Sequence, residues 1–200
     1  MPDAARLAGR IAMDVDLFVW RHPKPRGAEG LCIGRTDVPV DPRKAKRLAH
    51  RICQYARRHG LARVVFTSPL ERTAAVGCWL ARWGWRHIED PRLAELDFGR
   101  WDGLAWDRIG ATALDAWTAD FSLHAPGGAE SLAELFARCR QFLDDAGIGQ
   151  PACIVGHAGW MSAARHVVEG KAPPTRAADW PRPARHAQLL RISTRQEQLS

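Results

Sequence analysis

Short apolar runs and longer stretches with three-to-four spacing alternate along this chain. The first run is Asp16-Leu17-Phe18-Val19-Trp20, and it reads as a strand. Residues 41–59 then read as a helix. Ala45, Leu48, Ala49, Ile52, Cys53 and Ala56 fall on one face and lysines and arginines on the other. Asp41 is placed to cap its start with Pro42 at the first helical position, and Gly60 is placed to close it. Ala62 to Thr67 reads as a second strand. It runs into Ser68-Pro69-Leu70-Glu71, where Ser68 and Glu71 have capping-box spacing and predict a helix to about Trp83. A third helix is expected from Ser131 to about Asp145, a strand over 152–156, a helix from Gly159 to about Glu169, and a last strand over 188–192. The proline-rich stretch 172–183 reads as a loop. Strands alternating with helices predict a three-layer α/β/α sandwich with a mostly parallel central sheet.

Composition narrows the picture. With 200 residues, 46% of them hydrophobic and 26% charged, the chain has the size and balance of a single globular domain, taken as residues 14–200. Residues 1–13 mix Asp3, Arg6 and Arg10 with alanines and are expected to be a disordered leader, with Met13 an alternative start. No apolar run reaches the ~18 residues that a bilayer span requires, so no membrane partner is expected and the location is read as cytoplasmic. The five cysteines (Cys32, Cys53, Cys78, Cys139 and Cys153) form no Cys-x-x-Cys pair, which argues against a disulfide framework or a thiolate zinc site. All but Cys32 sit in apolar patterns and read as small buried hydrophobes. The net charge of +7 is spread along the chain rather than gathered in one stripe, so a nucleic-acid partner is not expected.

Two histidines carry the chemistry. Arg21-His22 follows the first strand and His157 follows the strand 152–156. In a parallel sheet, ligands bind beyond the carboxyl ends of the strands, where two such imidazoles converge. Arg72 stands in the first turn of the helix opening near Ser68, a position that favours an anion. Glu95 stands in Leu93-Ala94-Glu95-Leu96-Asp97-Phe98-Gly99, with Asp97 and Asp102 as alternatives for the same role. Two arginines, two histidines and a carboxylate are what phosphoryl transfer without a metal needs: a nucleophile, positive charge on the phosphate oxygens, and an acid for the leaving group. Trp79, Trp83 and Trp85 read as packing residues; one of Trp101, Trp106 and Trp117 is a candidate wall of the pocket, with packing as the equal alternative. His50, His59, His87, His124, His166 and His186 read as surface or loop residues.

These segments together resemble the histidine phosphatase superfamily, the phosphoglycerate-mutase-like fold. The resemblance runs in order through residues 17–22, Gly34-Arg35-Thr36-Asp37-Val38-Pro39, Thr67-Ser68-Pro69-Leu70-Glu71-Arg72-Thr73, residues 93–103, Pro126-Gly127-Gly128-Ala129-Glu130-Ser131, and Val155-Gly156-His157-Ala158-Gly159. It is nearest the alpha-ribazole phosphatase branch of cobalamin synthesis. The resemblance implies His22 as the nucleophile that becomes phosphohistidine. It implies Arg21, Arg72 and His157 as the phosphoryl-holding groups, Glu95 as the proton donor, and Gly34, Arg35 and Thr36 as the substrate-side lining. It also implies no metal and no cofactor, and a small phosphorylated metabolite as the partner of a monomer or homodimer. A broad small-molecule phosphatase, a phosphoglycerate mutase and an inactive phosphate-binding scaffold are the alternatives. The chain departs from the family pattern at Pro23, which removes an N–H, at Ile33 and Ala158, and by one extra alanine in the loop 126–131.

Overall fold

A computed structural model describes residues 16–145 and 151–193; the leader expected over residues 1–13 lies outside them. Five strands form one sheet: β1 (Asp16–Arg21), β2 (Val64–Thr67), β3 (Arg86–Glu89), β4 (Ala152–Gly156) and β5 (Leu189–Ser193). Their spatial order is β3-β2-β4-β1-β5, parallel throughout except for β5, which runs antiparallel along β1. The helices are α1 (Pro42–His59), α2 (Glu71–Arg82), α3 (Ala111–Ala119), α4 (Leu132–Asp145) and α5 (Ala158–Val168).

Alternation along the strands divides the core into two layers. Leu17, Val19, Ala152 and Ile154 pack with Leu135, Phe136, Phe142 and Trp160 of α4 and α5. Phe18, Trp20, Cys153 and Val155 point the other way, against Leu48, Ile52, Val76 and Leu80 of α1 and α2. Both faces of the central strands are therefore covered, and these strands read as continuous apolar runs for that reason. In the parallel register Arg21 sits opposite Gly156, so the residues that follow, His22 and His157, leave adjacent strands side by side. The chain then goes to α1 on one face and to α5 on the other. The crevice between β1 and β4 is thus the point where the topology switches direction.

The expected helix over 41–59 is present as α1. Asp41 accepts the Arg43 N–H at 2.8 Å, and Gly60 closes the helix with φ of 64°. The expected capping box at Ser68 and Glu71 does not form. Helix α2 starts at Glu71, and Ser68 Oγ is held by Thr73 and His157 instead. Asp37 supplies the missing acceptor from a distant loop, taking the Glu71 N–H at 2.7 Å. A reciprocal box does form at Ser131. Glu134 Oε2 accepts the Ser131 N–H at 2.7 Å and Ser131 Oγ accepts the Glu134 N–H at 3.2 Å.

Elements β3 and α3 were not expected from the sequence. In addition, Cys78 is exposed and Cys53 only half-buried, contrary to the reading of both as core. Ser131→Ala should cost about 1 kcal/mol, with the urea midpoint lowered and the slope unchanged. Ser68→Ala removes the acceptor of the Leu70 N–H at 3.3 Å and of the buried His157 Nε2–H, and should also lower the urea midpoint.

Candidate active site

The end of β1 is clamped from both sides. The His22 N–H donates to Gly156 O at 3.0 Å, the Arg21 N–H to Gln188 O at 3.0 Å, and the Ala187 N–H to Arg21 O at 3.0 Å. His22 is 5% exposed. Its Nδ1 lies 2.8 Å from Pro23 O. A carbonyl can only accept, so Nδ1 carries the proton and Nε2 holds the free lone pair. Pro23, which lacks an N–H to offer a phosphate, thus acts through its carbonyl.

His157 has the opposite tautomer. Arg72 Nε donates to its Nδ1 at 3.2 Å, so the proton is on Nε2 and goes to Ser68 Oγ at 2.8 Å. Ser68 in turn meets Thr73 Oγ1 at 2.8 Å, and Thr73 donates on to the carbonyls of Ser68 and Leu70. This hydroxyl chain fixes the ring. The His22 and His157 ring centroids are 5.1 Å apart.

Arg72 is 1% exposed. Its NH1 donates to Thr36 O at 2.8 Å and its NH2 to Gly34 O at 2.5 Å. The Gly34, Arg35 and Thr36 N–H groups all point at the Asp102 carboxylate. Gly34 admits no side chain, since a Cβ there would collide with Leu96 O. Of Gly34, Arg35 and Thr36, expected on the substrate side, Gly34 and Thr36 present their carbonyls to Arg72, while Leu31 and Ile33 of the same loop face the cavity. Asp102, an alternative to Glu95 in the sequence, is occupied in holding that loop. Asp97 accepts the Gly99 N–H at 2.9 Å and is likewise engaged locally.

Glu95 does reach the site. Its carboxylate accepts the N–H groups of Gly159 and Trp160 at 3.0 and 3.2 Å, at the N-terminus of α5. A Cβ on Gly159 would collide with that carboxylate. Arg138 of α4 holds the same loop, donating to Arg92 O, Ala94 O and Glu95 O and pairing with Glu130. Nothing in the sequence pattern distinguishes Arg138 from the other arginines of the chain.

Arg21, His22, Arg72 and Glu95 open together onto a cavity of about 550 Å³. His157 lies directly behind, fully buried and bonded to Arg72. His186 joins them, contrary to its reading as a loop histidine outside the site. Its ring is 5.2 Å from that of His22, and its Nδ1 donates to His22 O at 3.2 Å. Cys32 is buried, and burial raises its thiol pKa to about 12, so it is no thiolate. Among the described residues, no group of three or more His, Cys, Asp or Glu side chains is placed to hold a metal ion. No described helix is long and apolar enough to cross a membrane.

Burial, followed by the Arg72 charge, holds the pKa of both His22 and His157 well below the ordinary imidazole value. Burial and Arg21 lower that of His186 to about 4. Burial lowers the pKa of Arg21 and Arg72 as well, with Glu95 opposing it in both. A guanidinium titrates so far above neutrality that both stay charged. The site therefore presents two fixed cations, three neutral imidazoles and one carboxylate, an arrangement suited to receive a dianion and attack it with a nitrogen lone pair.

This constellation is of a kind that can hold a phosphoryl group. Residues 17–199 match the histidine phosphatase superfamily (branch 1), and the chain belongs to that family. Among solved structures it is similar to a mycobacterial glucosyl-3-phosphoglycerate phosphatase. That likeness has a TM-score of 0.71 at 23% identity, over 88% of this chain and 89% of the other. It is also similar to the alpha-ribazole phosphatase from Shigella flexneri, with a TM-score of 0.59 at 23% identity, over 74% of this chain and 76% of the other. At these identities the likeness is one of fold. Among curated sequences, the Bifunctional protein Rv2228c of Mycobacterium tuberculosis is 34% identical over 108 residues, 52% of this chain. The match spans only 27% of that relative's length.

The buried histidines make stability pH-dependent with a definite sign. Their folded pKa values lie below the unfolded value of about 6.5, so the unfolded state binds more protons as the pH falls. Stability should be intact above about pH 7 and decline below about pH 6.5, by at most ~1.4 kcal/mol per pH unit for each histidine. His186→Asn should shallow this slope by up to one proton between about pH 6.5 and 4. Urea midpoints at pH 7.5, 6 and 5 give the slope; an equal slope in the variant would contradict the depressed pKa of His186.

Proposed function

We propose that this chain is a metal-independent phosphomonoesterase that works through a phosphohistidine on His22. The observation that carries this reading is the tautomer of His22. With Nδ1–H bound to Pro23 O, the buried ring directs a neutral Nε2 toward the cavity shared with Arg21 and Arg72. Nε2 attacks phosphorus, forming the N–P bond as the ester P–O bond breaks. Arg21 and Arg72 hold the phosphoryl oxygens, where charge builds up in the transition state; His157, whose ring nitrogens are taken by Arg72 and Ser68, acts by seating Arg72. The incoming dianion offsets the guanidinium charge that, with burial, keeps the imidazoles neutral.

Glu95, protonated from solvent before the transfer, gives that proton to the leaving alkoxide. It then takes a proton from the water that cleaves the N–P bond, which returns His22 neutral and releases phosphate. At the N-terminus of α5 its carboxylate lies next to the chain that carries His157, so the acid and the imidazole that seats Arg72 share one support. Arg138 acts on Glu95 only through the loop backbone and is a positioning residue.

The substrate we propose is alpha-ribazole 5′-phosphate or a related phosphate of the cobalamin pathway. The motif resemblance and the fold likeness to an alpha-ribazole phosphatase support it. A mutase acting on phosphoglycerate is less well supported, because the cavity walls beyond the phosphate end are mainly apolar.

Phosphate release from p-nitrophenyl phosphate, measured with and without chelator, tests the chemistry. The wild type should be active and chelator-resistant. His22→Ala should lose at least a thousandfold in kcat, and acid quench of the wild type should trap an acid-labile, base-stable phosphoryl group. Full activity in His22→Ala, or loss on chelation, would overturn the reading. Arg138→Met should lower kcat far more than it raises KM, because it disturbs the proton donor and leaves Arg21 and Arg72 in place.

A further inference from the structure

Three imidazoles meet at the phosphate end of the cavity, and two of them have no nitrogen to spare. His22 gives Nδ1–H to Pro23 O and keeps Nε2 for attack. His157 takes the Arg72 Nε–H on Nδ1 and gives Nε2–H to Ser68 Oγ. His186 differs. Its Nδ1 donates to His22 O at 3.2 Å, and a carbonyl can only accept, so Nε2 is a bare lone pair. No described residue bonds to that nitrogen, and the ring lines the cavity together with Arg21, His22 and Arg72.

The turn that presents this ring is built against backbone preference. The Gln188 N–H donates to Arg185 O at 3.0 Å, and the Arg185 N–H to Gln188 Oε1 at 2.7 Å. Between them Ala187 has φ of 59°, the left-handed region that favours glycine. It is the one such non-glycine residue among those described. The Ala187 N–H is spent on Arg21 O at 3.0 Å, which ties the turn to β1 and holds the His186 ring 5.2 Å from that of His22. Backbone strain of this kind, fixed by surrounding bonds, is often found where a side chain must be presented.

A bare lone pair beside phosphoryl oxygens repels them, since both are acceptors. One proton between them turns the repulsion into a charge-assisted hydrogen bond. In the free protein burial comes first, and then Arg21 of β1, Lys24 of the loop after it and Lys44 of α1, in keeping the ring neutral; its pKa falls to about 4 although the bond to His22 O opposes this. A bound phosphate dianion offsets those cations and accepts from the ring, so it raises the affinity of Nε2 for a proton.

Resting on the phosphomonoesterase reading above, we infer that Nε2 of His186 holds a proton against the phosphoryl group while substrate is bound. The ester monoanion brings that proton on a phosphoryl oxygen. The O–H bond breaks as the N–H bond forms, leaving a dianion beside an imidazolium. His186 then joins Arg21 and Arg72 as a third cation on the phosphoryl oxygens during transfer to His22. Once water has cleaved the N–P bond, the proton returns to a phosphate oxygen, and dihydrogen phosphate leaves with His186 neutral again. The proton exchanged between leaving alcohol and water is a separate one, carried by Glu95. His186 is thus a catalytic residue whose charge appears only with the substrate.

Nitrogen-15 NMR of the imidazole rings in the wild-type protein tests the proton directly at about pH 6. Sulfate is the probe, because it is a dianion that carries no proton of its own there. Without it, His186 should show Nδ1 protonated and Nε2 bare; with saturating sulfate, Nε2 should become protonated. Sulfate that perturbs the other site rings and leaves Nε2 bare would overturn the inference, as would sulfate that perturbs none of them.

Kinetics separate this role from a structural one. His186→Asn keeps an N–H for His22 O and loses the titrating nitrogen. It should lower kcat/KM for p-nitrophenyl phosphate at least tenfold at about pH 6, and the deficit should shrink at least threefold by about pH 8.5, where the ring no longer keeps its proton. No deficit, or one that stays constant with pH, would overturn the inference and leave the phosphatase reading standing. A wild type inactive on p-nitrophenyl phosphate would overturn the phosphatase reading, and the sulfate spectra then decide whether His186 takes the proton.

Discussion

The buried guanidinium of Arg72 is the charge around which the site is organised. Moving a cation out of water is costly unless hydrogen bonds replace the water. Here the replacements come from two distant parts of the chain: the carbonyls of Gly34 and Thr36, and Nδ1 of His157. Each has its own support. Asp102 gathers the N–H groups of the loop 34–36, and the Ser68–Thr73 hydroxyl chain sets the His157 tautomer. The carboxylates of Glu95, Asp37 and Asp102 surround the cation and raise its pKa against the effect of burial. Removing one of these partners would leave a buried charge short of acceptors, which explains why side chains with no view of the cavity matter to it.

The parts of the fold legible in sequence were those whose burial is simple. β1 and β4 are covered on both faces and read as apolar runs, and α1 has one apolar stripe between a clear cap and a clear stop. β3 was hidden because it is an edge strand whose four residues, Arg86-His87-Ile88-Glu89, are mostly polar and only partly covered. α3 was hidden because none of its residues is buried, so no stripe marks it. The motif Ser-x-x-Glu occurs at both Ser68 and Ser131, and only the second forms a box. The difference is tertiary: a buried imidazole N–H competes for Ser68, and a local pattern carries no sign of it.

The site divides in the same manner. Arg21, His22, Arg72 and His157 could be grouped from the sequence because strand ends and a helix start are visible there and point to one crevice, whereas Glu95, in a loop, rested on the motif resemblance. That the carbonyls of Gly34 and Thr36 seat Arg72 was not legible, because spacing says which loop approaches an arginine but not which of its faces it touches. His186 had no local signal at all. It lies in the turn before β5, and only the pairing of β5 with β1 carries it over His22. The departure at Pro23 is compatible with the site for a backbone reason: a proline retains its carbonyl, and the carbonyl is what His22 uses.

The clamp on β1 also has a consequence for the order in which the molecule becomes competent. Ala184 O receives the Arg21 guanidinium at 2.7 Å, His186 covers His22, Ala187 and Gln188 tie down the Arg21 backbone, and β5 then zips along the whole strand. These residues leave the ribosome some 160 positions after the histidine they hold in place. During synthesis the first strand emerges early and waits for its last neighbour. A nascent chain can thus carry both histidines while His22 is still unanchored, and the pocket takes shape only once residues 184–193 have been made.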